Sequence, residues 1–288
     1  MNEERIKALK GQTFGVEVEG YGIGKARAAE ALAGLFGTAY EGGTVAKDGK
    51  GRRWVFKNDG SLDGPRALEF VTPILGYDDL PLLRKVLETL KAAGMKADAG
   101  HQDGLHVHVG ADGHTAGTIL NLANQMRARE RLIWEAIGGS EEREHWCRDT
   151  DDRMLATLER EAKAGRSLES IDLSYDRYRK LNLAALEKHG TVEFRLFELK
   201  GELDADRVEA FVNLALAMNA SAKLAKATSP ERVATGNPKF AMRTWLNRLG
   251  MIGPEFATTR RVLTENLSGN GAWASGTAHE VGYHRAGA

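Results

Sequence analysis

The stretch 104-GLHVHVG-110 places His106 and His108 two residues apart, with a valine after each of them. Side chains in a β-strand alternate between the two faces of a sheet, so residues i and i+2 project to the same side. The alternation therefore predicts a strand with both imidazoles on one face and Val107 and Val109 on the other. Taken alone, it fits two interpretations, a slightly polar buried strand or half of a metal site.

Three other stretches show the same division between an apolar and an ionisable face. "QTFGVEVEG" predicts a strand with Glu17 and Glu19 on one face, and "GTVEFRLFEL" predicts one with Glu193 and Arg195 on one face. In "RALEFVTPIL", Glu69 stands between two apolar residues in the same manner. A solvated antiparallel sheet would also alternate in this way. Such a face, however, favours Thr, Lys, Gln and Ser over carboxylate, imidazole and guanidinium groups.

Helical periodicity separates these strands. Apolar residues recur at helical spacing in several segments. The helices are predicted over "KARAAEALAGLFG", the segment with Leu80, Leu83, Leu87 and Leu90, the long segment from about Ile119 to Ile137, residues of about 151–164 and 176–188, the segment from Val208 to Ala222, and two shorter stretches in the last fifty residues. Strands that form adjacent hairpin-like pairs among helices predict an α+β fold, with a largely antiparallel sheet and helices packed on one face.

Composition narrows the classes of function. The 288 residues include 40 basic and 40 acidic side chains, so no net charge favours nucleic acid or an anionic membrane. A single cysteine, Cys147, excludes an internal disulfide framework and a thiolate zinc cluster. The first residues lack the apolar core of a signal peptide, and no run of 18 apolar residues occurs. A soluble cytoplasmic protein without a membrane or nucleic-acid partner is therefore expected.

The ionisable faces predict a cation site if they line one cavity. Four glutamates in a partly dry cavity repel each other at a cost of several kcal/mol unless cations compensate them. Arg195 alone does not supply enough positive charge. Oxygen-rich ligation with one imidazole suits Mg²⁺ or Mn²⁺ better than Zn²⁺. Two such ions could bind the phosphates of a nucleotide and stabilise phosphoryl transfer.

Four motifs resemble, in order, those of the amidoligase family, the carboxylate–amine ligases related to glutamine synthetase and glutamate–cysteine ligase. They are "FGVEVEG", "DGSLDGPRALEFVTPIL", "GLHVHVG" and "YRKLNLAALEKHGTVEFRLFE". The resemblance implies a glutamine synthetase-like curved sheet that holds ATP and Mg²⁺ on its concave face. It also implies amide formation through an acyl phosphate, with an amine and a carboxylate, such as an amino acid or peptide, as substrates.

The resemblance further implies a role for each matching residue. The implied metal ligands are Glu17, Glu19, Glu69, His106 and Glu193. The implied catalytic groups are His108, which would contact substrate or phosphate, and Arg195, which would neutralise the transferring phosphoryl group. The chain lacks the length that builds oligomer contacts and substrate-closing domains in the larger ligases, which leaves the oligomeric state and the amine pocket undefined.

Other polar residues are candidates for nucleotide or substrate binding. Asp59 and Ser61 lie in a turn and would contact substrate, although turn chemistry alone also explains them. Lys57 and Arg66 flank that turn, within reach of phosphate or a substrate carboxylate. In the segment predicted as a helix, Tyr178 and Asn182 stand one turn apart and would both line the cleft. Their alternative roles are core packing and helix capping.

These expectations define one main hypothesis and three alternatives. The main hypothesis is an ATP- and Mg²⁺-dependent ligase whose catalytic domain spans residues 1–266, followed by a Gly-rich tail or lid over 267–288. His279 and His284, in that tail, are interpreted as surface residues. The alternatives are a zinc-dependent hydrolase that uses both histidines, a small-molecule phosphotransferase, and a non-catalytic nucleotide-binding protein.

Overall fold

The protein is described by a computed structural model over residues 2–58, 67–97, 104–173, 177–199, 201–233 and 236–273. The α-helices of these residues are α1 (Asn2–Lys10), α2 (Lys25–Phe36), α3 (Leu80–Ala92), α4 (Ala116–Ile137), α5 (Glu141–Glu144), α6 (Asp152–Lys163), α7 (Ala185–His189), α8 (Ala205–Leu224), α9 (Pro238–Arg248) and α10 (Ala257–Glu265). The strands are β1 (Thr13–Gly20), β2 (Val45–Lys47), β3 (Arg53–Lys57), β4 (Leu68–Val71), β5 (Leu75–Gly76), β6 (Gly104–Gly110), β7 (Leu181–Asn182) and β8 (Thr191–Glu198). Among the described residues, no helix has both the length and the apolar character needed to cross a membrane.

The described strands form one sheet in the order β2-β3-β4-β1-β6-β8-β7, with β5 paired to one end of β1. Every pairing between these strands is antiparallel. The strand predictions for β1, β4, β6 and β8 are confirmed, as is the α+β class. The centre of the sheet is formed by β4, β1, β6 and β8, the four strands that carry the ionisable dyads and Glu69.

One face of the sheet is apolar and is covered by helices. Val16 and Val18 of β1 and Val107 and Val109 of β6 are each at most 1% exposed, as alternation predicts. On the same face, α8 packs against the central strands through Phe211, whose ring stacks on Phe197 of β8 with 4.6 Å between the ring centroids. The opposite face is thereby left for the polar side chains.

A β-bulge in β8 changes which residue reaches that apolar core. Leu105 is opposite Phe197, whereas Val107 is opposite Phe194. Between these two pairs β8 therefore contains one more residue than β6. The extra residue reverses the alternation of the strand. Consequently Phe197, rather than Leu196, stacks on Phe211.

The predicted helix over residues 176–188 is wrong. In its described part, from residue 177 onward, Leu181 and Asn182 form the edge strand β7, paired with Phe194 and Glu193 of β8, and the helical residues are those of Ala185–His189. The segment has helical periodicity, but hydrogen bonds to distant residues compete with it. The amide of Arg195, for example, donates to the carbonyl of Lys180 over 3.0 Å. Tertiary pairing therefore overrides local helix propensity here.

The aromatic stack between α8 and the sheet yields a stability prediction. Phe211→Ala removes a fully buried ring, and we expect it to lower the free energy of unfolding by about 3–5 kcal/mol. Urea denaturation followed by circular dichroism measures this change. Leu224→Ala, at the end of the same helix and 40% exposed, is the matched control and should change it by less than about 1 kcal/mol. Equal losses in both variants would contradict this role for Phe211.

His114 connects the start of α4 to α8. Its Nδ1 lies 2.9 Å from the Thr118 hydroxyl, and its Nε2 lies 2.8 Å from Oδ1 of Asn219. Because the amide group of Asn219 donates to Gln12, its Oδ1 is the acceptor, which assigns the proton of neutral His114 to Nε2. Burial, together with the charge of Lys223, lowers the pKa of His114 to about 4.

This depressed pKa predicts a stability loss in acid. Unfolded His114 titrates near 6.5, so its contribution to stability is complete above that pH and is lost as the pH falls toward 4. Between pH 7 and pH 4.5 we expect His114 to account for a loss of about 2–3 kcal/mol. In His114→Gln, which does not titrate, the difference in unfolding free energy between these two pH values should shrink by that amount. An unchanged difference would contradict the prediction.

Candidate active site

The register of the central strands aligns the ionisable residues in neighbouring pairs. Glu19 of β1 is opposite Glu69 of β4, and Glu17 is opposite His106 of β6. His108 of β6 is in turn opposite Glu193 of β8. Pairs directly opposite each other have close Cβ atoms and share a face. The structure therefore brings the dyads of three strands and Glu69 together on the polar face of one sheet.

Most of these groups are buried although they are ionisable. Glu19, Glu69, His106 and Glu193 are between 4% and 7% exposed. The exposure of the Glu17 side chain is 24% and that of His108 is 14%. Buried carboxylates and imidazoles need hydrogen bonds or counter-charges to offset their desolvation. A freely solvated sheet face does not describe this surface.

His106 lies at the centre of the cluster, with carboxylates on both sides of its ring. Its Nδ1 is 3.5 Å from Oε2 of Glu17 and 3.4 Å from Oε1 of Glu193. Its Nε2 is 3.8 Å from Oε1 of Glu19. Contacts of this length bring donors and acceptors close without forming well-aligned hydrogen bonds.

Three ligand atoms are arranged so that one cation could contact all of them. One atom each from Glu17, His108 and Glu193 lie within 4.8 Å of one another. Nε2 of His108 and Nδ1 of His106 are both buried and have no hydrogen-bond partner among the residues that the structure describes. The other nitrogen of His108 is 3.0 Å from the Thr191 hydroxyl, which orients the ring so that Nε2 points toward the carboxylates.

Electrostatic interactions in this group favour the ionised carboxylates and the protonated imidazole. Burial alone would raise the pKa of Glu17, but its close contacts with His106 and His108 and the positive charge of these two rings outweigh burial and bring that pKa well below its usual range. Burial likewise opposes ionisation of Glu193, yet His106 and Arg195 lower its pKa. For His108, the contribution of Glu17 and Glu193 exceeds that of burial, and the pKa is raised.

Glu69 differs from the other carboxylates. Burial, followed by the charge and hydrogen bond of Glu17, raises the pKa of Glu69 to about 8. Lys57 opposes this shift, since its Nζ is 3.0 Å from Oε2 of Glu69 and 3.9 Å from Oε1 of Glu17. Lys57 thus lies at the edge of the carboxylate cluster, where its positive charge favours the ionised form of Glu69.

Arg195, Tyr178 and Asn182 extend the site along β8 and its edge strand. Nη1 of Arg195 is 2.8 Å from Oε1 of Glu193, and its guanidinium carbon lies 5.9 Å from the ring centroid of Tyr178. The amide nitrogen of Asn182 donates to Oε2 of Glu193 over 2.6 Å. Tyr178 and Asn182 do reach the cluster, but through a loop and a strand rather than through one face of a helix. The helical juxtaposition predicted for them is therefore wrong.

Two residues at the other end of the cluster were not identified from the sequence. Arg143, 2% exposed, places Nη1 4.0 Å from Oε2 of Glu19 and donates from Nη2 to the carbonyl of Arg195 over 2.9 Å. Glu198, 0% exposed, accepts hydrogen bonds from the amide and hydroxyl of Ser140. Neither residue belongs to a pair of ionisable residues at positions i and i+2 of a strand, which was the pattern used to find the other site residues. Arg143 is not in a strand at all, and Glu198 lies beyond the bulge that interrupts the alternation of β8.

Several predicted residues lie outside the described part of the chain. They are Asp59, Ser61 and Arg66, between β3 and β4 in the sequence, and His279 and His284, after α10. Their predicted roles remain predictions.

Gly104, the first residue of β6, donates its amide hydrogen to Oε2 of Glu19. A Cβ atom at this glycine would meet Nη1 of Arg143 at 2.6 Å, so a larger residue here would displace the guanidinium group of Arg143.

Comparison with known proteins identifies the family of this chain. A search of the curated proteins found no match. The family model described as "Putative amidoligase enzyme" matches residues 10–219, which is more than half of the chain and includes all strands of the sheet. The family implies an amine and a carboxylate as substrate classes. The chain belongs to the amidoligase family.

Proposed function

We propose that this protein is an ATP- and Mg²⁺-dependent carboxylate–amine ligase that forms an amide bond through an acyl phosphate. An amino acid or peptide is the proposed substrate. The observation that supports the proposal most directly is the cluster of carboxylates, imidazoles and one arginine on a single sheet face, within the region that matches the amidoligase family. We further propose a glutamine synthetase-like fold, with a catalytic domain over residues 1–266 and the tail over 267–288.

The residues present fit a hard divalent cation. Glu17 and Glu193 offer oxygen atoms and His108 offers a nitrogen atom within 4.8 Å of one another. The partnerless buried Nδ1 of His106 and Nε2 of His108 are available for ligation or for substrate contact. Oxygen-rich sites with few imidazoles favour Mg²⁺ and Mn²⁺. In the proposed assignment Glu17, Glu19, Glu69, His106 and Glu193 hold the metal, and the same geometry allows His108 to exchange roles with His106.

Bound Mg²⁺ would neutralise phosphate charge and so permit two anions to approach. The protein's own cations would supplement that charge at both sides of the cluster. Arg195, held against Glu193, is the proposed contact to oxygens of the γ-phosphoryl group, whose charge develops during transfer. Lys57, partly exposed beside Glu69, is within reach of a phosphate or of the substrate carboxylate. Asp59, Ser61, Tyr178 and Asn182 are the remaining proposed contacts to nucleotide or substrate.

The reaction explains why a carboxylate needs ATP. A carboxylate is a poor acyl donor because its leaving group would be oxide. In the first proposed step a carboxylate oxygen bonds to the γ-phosphorus, and the bond from that phosphorus to the oxygen of ADP breaks. In the second step the amine nitrogen bonds to the acyl carbon and inorganic phosphate leaves. The amine loses a proton, which a carboxylate of the site or a phosphate oxygen accepts.

An ATP-coupled condensation assay tests this proposal. Purified protein is incubated with Mg²⁺, ATP and a panel of amino acids and short peptides. ADP and phosphate are quantified, and condensed products are identified by mass spectrometry. We expect one amide bond for each ADP formed, only when Mg²⁺, ATP and both substrates are present. Hydrolysis of an amide that needs metal but no ATP would overturn the proposal.

A zinc-dependent hydrolase is the second candidate, because two carboxylates and an imidazole can also ligate Zn²⁺. Elemental analysis of protein purified without added metal distinguishes the two functions. A ligase that uses Mg²⁺ loses its metal during dialysis. Stoichiometric zinc that resists dialysis would favour the hydrolase. A stable phosphorylated product without amide formation would instead indicate a phosphotransferase.

A further inference from the structure

A second cavity lies among the helices, away from the polar sheet face. Its volume is about 450 Å³, and its lining comes from α1, α4, α8, α9 with the residue that follows it, and residues 228–233. No strand contributes to it. The residues that determine its chemistry are Arg5, Gln125, Arg129, Glu231, Trp245 and Arg248.

Arg129 is a partly buried cation in this cavity. Its guanidinium carbon lies 5.0 Å from the ring centroid of Trp245, an arrangement that provides cation–π stabilisation. Within the described residues it has no carboxylate partner. Burial, followed by the positive charge of Arg248, lowers the pKa of Arg129. Arginine nevertheless remains charged at any physiological pH, so the cost of burying this cation is only partly offset.

Gln125 adds a second group without a partner. It is 4% exposed and lines the same cavity, and its amide nitrogen is buried without a hydrogen-bond partner. A buried amide donor that is left unsatisfied costs about 1–3 kcal/mol. Gln125 lies one turn before Arg129 on α4, so the two side chains share a face of the helix. In the described part of the chain, neither Gln125 Nε2 nor the Arg129 guanidinium has a hydrogen-bond acceptor.

The charge of the lining is strongly positive. Arg5 uses one guanidinium nitrogen to donate to the carbonyl of Arg248, so neither side chain is neutralised by this contact. Glu231 is the one carboxylate among the described lining residues. A fourth arginine of the lining, Arg232, pairs with Glu130 and Asp149, which do not line the cavity. Among the residues that the structure describes, Arg5, Arg129 and Arg248 have no carboxylate partner, so three guanidinium groups of the lining face one acid. Because Arg248 and Glu231 are exposed, the cavity opens to solvent.

We propose that this cavity is a binding site for a small phosphorylated anion, separate from the catalytic cluster. Guanidinium groups match the geometry of phosphate oxygens, and several oxygens can accept from arginine and amide donors together. The volume is in the range of small-molecule sites. A multiply charged ligand would satisfy Arg129 and Gln125 and would relieve the repulsion between Arg129 and Arg248. The proposal does not depend on the ligase activity.

Isothermal titration calorimetry with pyrophosphate tests the site. The titrations contain EDTA, so that binding which needs a divalent cation does not contribute. We expect saturable binding that weakens with rising NaCl concentration. Arg129→Gln and Gln125→Leu should each weaken it by about tenfold or more. Separate titrations with citrate and with inorganic phosphate compare the affinity of the cavity for carboxylates with its affinity for phosphoryl groups. Tighter binding of citrate than of pyrophosphate would contradict the phosphorylated class.

Two controls locate the binding site. Arg153→Gln changes an exposed arginine of α6 that does not line the cavity, and it should leave binding unchanged. Arg195→Gln reports on the catalytic cluster and should also leave it unchanged. If Arg129→Gln fails to fold, Arg248→Gln, at an exposed position, gives the same test with an expected loss of about fivefold. Absence of pyrophosphate binding, or loss of binding in Arg195→Gln but not in the cavity variants, would overturn the proposal.

Discussion

Glu193→Gln should abolish most divalent-cation binding and most amide formation while the fold is retained. Glu193 contacts His106 and Arg195, and it shares with Glu17 and His108 the position where one cation could contact three ligands. Metal ions stabilise transition-state charge by several kcal/mol, so loss of a ligand should reduce turnover by about 10³-fold. Glutamine has the same shape as glutamate and keeps an oxygen to accept the hydrogen bond from Asn182.

Calorimetric titration with Mn²⁺ and the ATP-coupled assay measure these two effects. Nucleotide binding should weaken together with metal binding, because the metal would connect ATP to the protein. Glu187→Gln, at an exposed position of α7, is the matched control and should behave as the unmodified protein. Thermal denaturation verifies that Glu193→Gln is folded. Full Mn²⁺ affinity in a folded Glu193→Gln protein would exclude Glu193 as a ligand.

Much of this site could be predicted because strands carry a strong local signal. The alternation of Glu17 and Glu19 with valines determines which face each side chain takes, whatever the neighbouring strand. The same holds for His106 and His108. Once these strands are neighbours in an antiparallel sheet, their polar faces lie on the same side of it. The order of strands is a long-range property, and the motifs themselves do not determine that β6 lies between β1 and β8.

The parts that could not be predicted depend on contacts between distant residues. Arg143 follows α4 in a segment without clear periodicity, and only its packing against Glu19 and Gly104 shows that it borders the site. Asn182 reaches Glu193 through an edge strand of two residues, which is too short to produce an alternating pattern. Helical spacing in the same segment was the stronger local signal, and pairing with β8 overrides it.

Arg195→Ala should reduce turnover far more than it reduces ATP binding. The Arg195 side chain is 15% exposed, and its contact with Glu193 holds the guanidinium group next to the cluster. If Arg195 contacts the γ-phosphoryl oxygens, its interaction strengthens as charge develops during transfer. An arginine in such a position contributes about 10³-fold to phosphoryl transfer. The dissociation constant of ATP should change by about tenfold or less, because phosphates held by the proposed metal would not depend on Arg195 in the ground state.

Single-turnover kinetics and equilibrium ATP binding separate these quantities for Arg195→Ala. Arg195→Lys provides the conservative comparison: it restores charge but not the two-pronged geometry of guanidinium, so partial recovery of turnover is expected. Arg195 also contacts Tyr178 and donates its amide hydrogen to the carbonyl of Lys180. The backbone contact persists in both variants, so a general loss of the β7 edge should not occur. Equal losses of ATP affinity and turnover would show that Arg195 binds the ground state and the transition state alike, and this would contradict the proposed catalytic role.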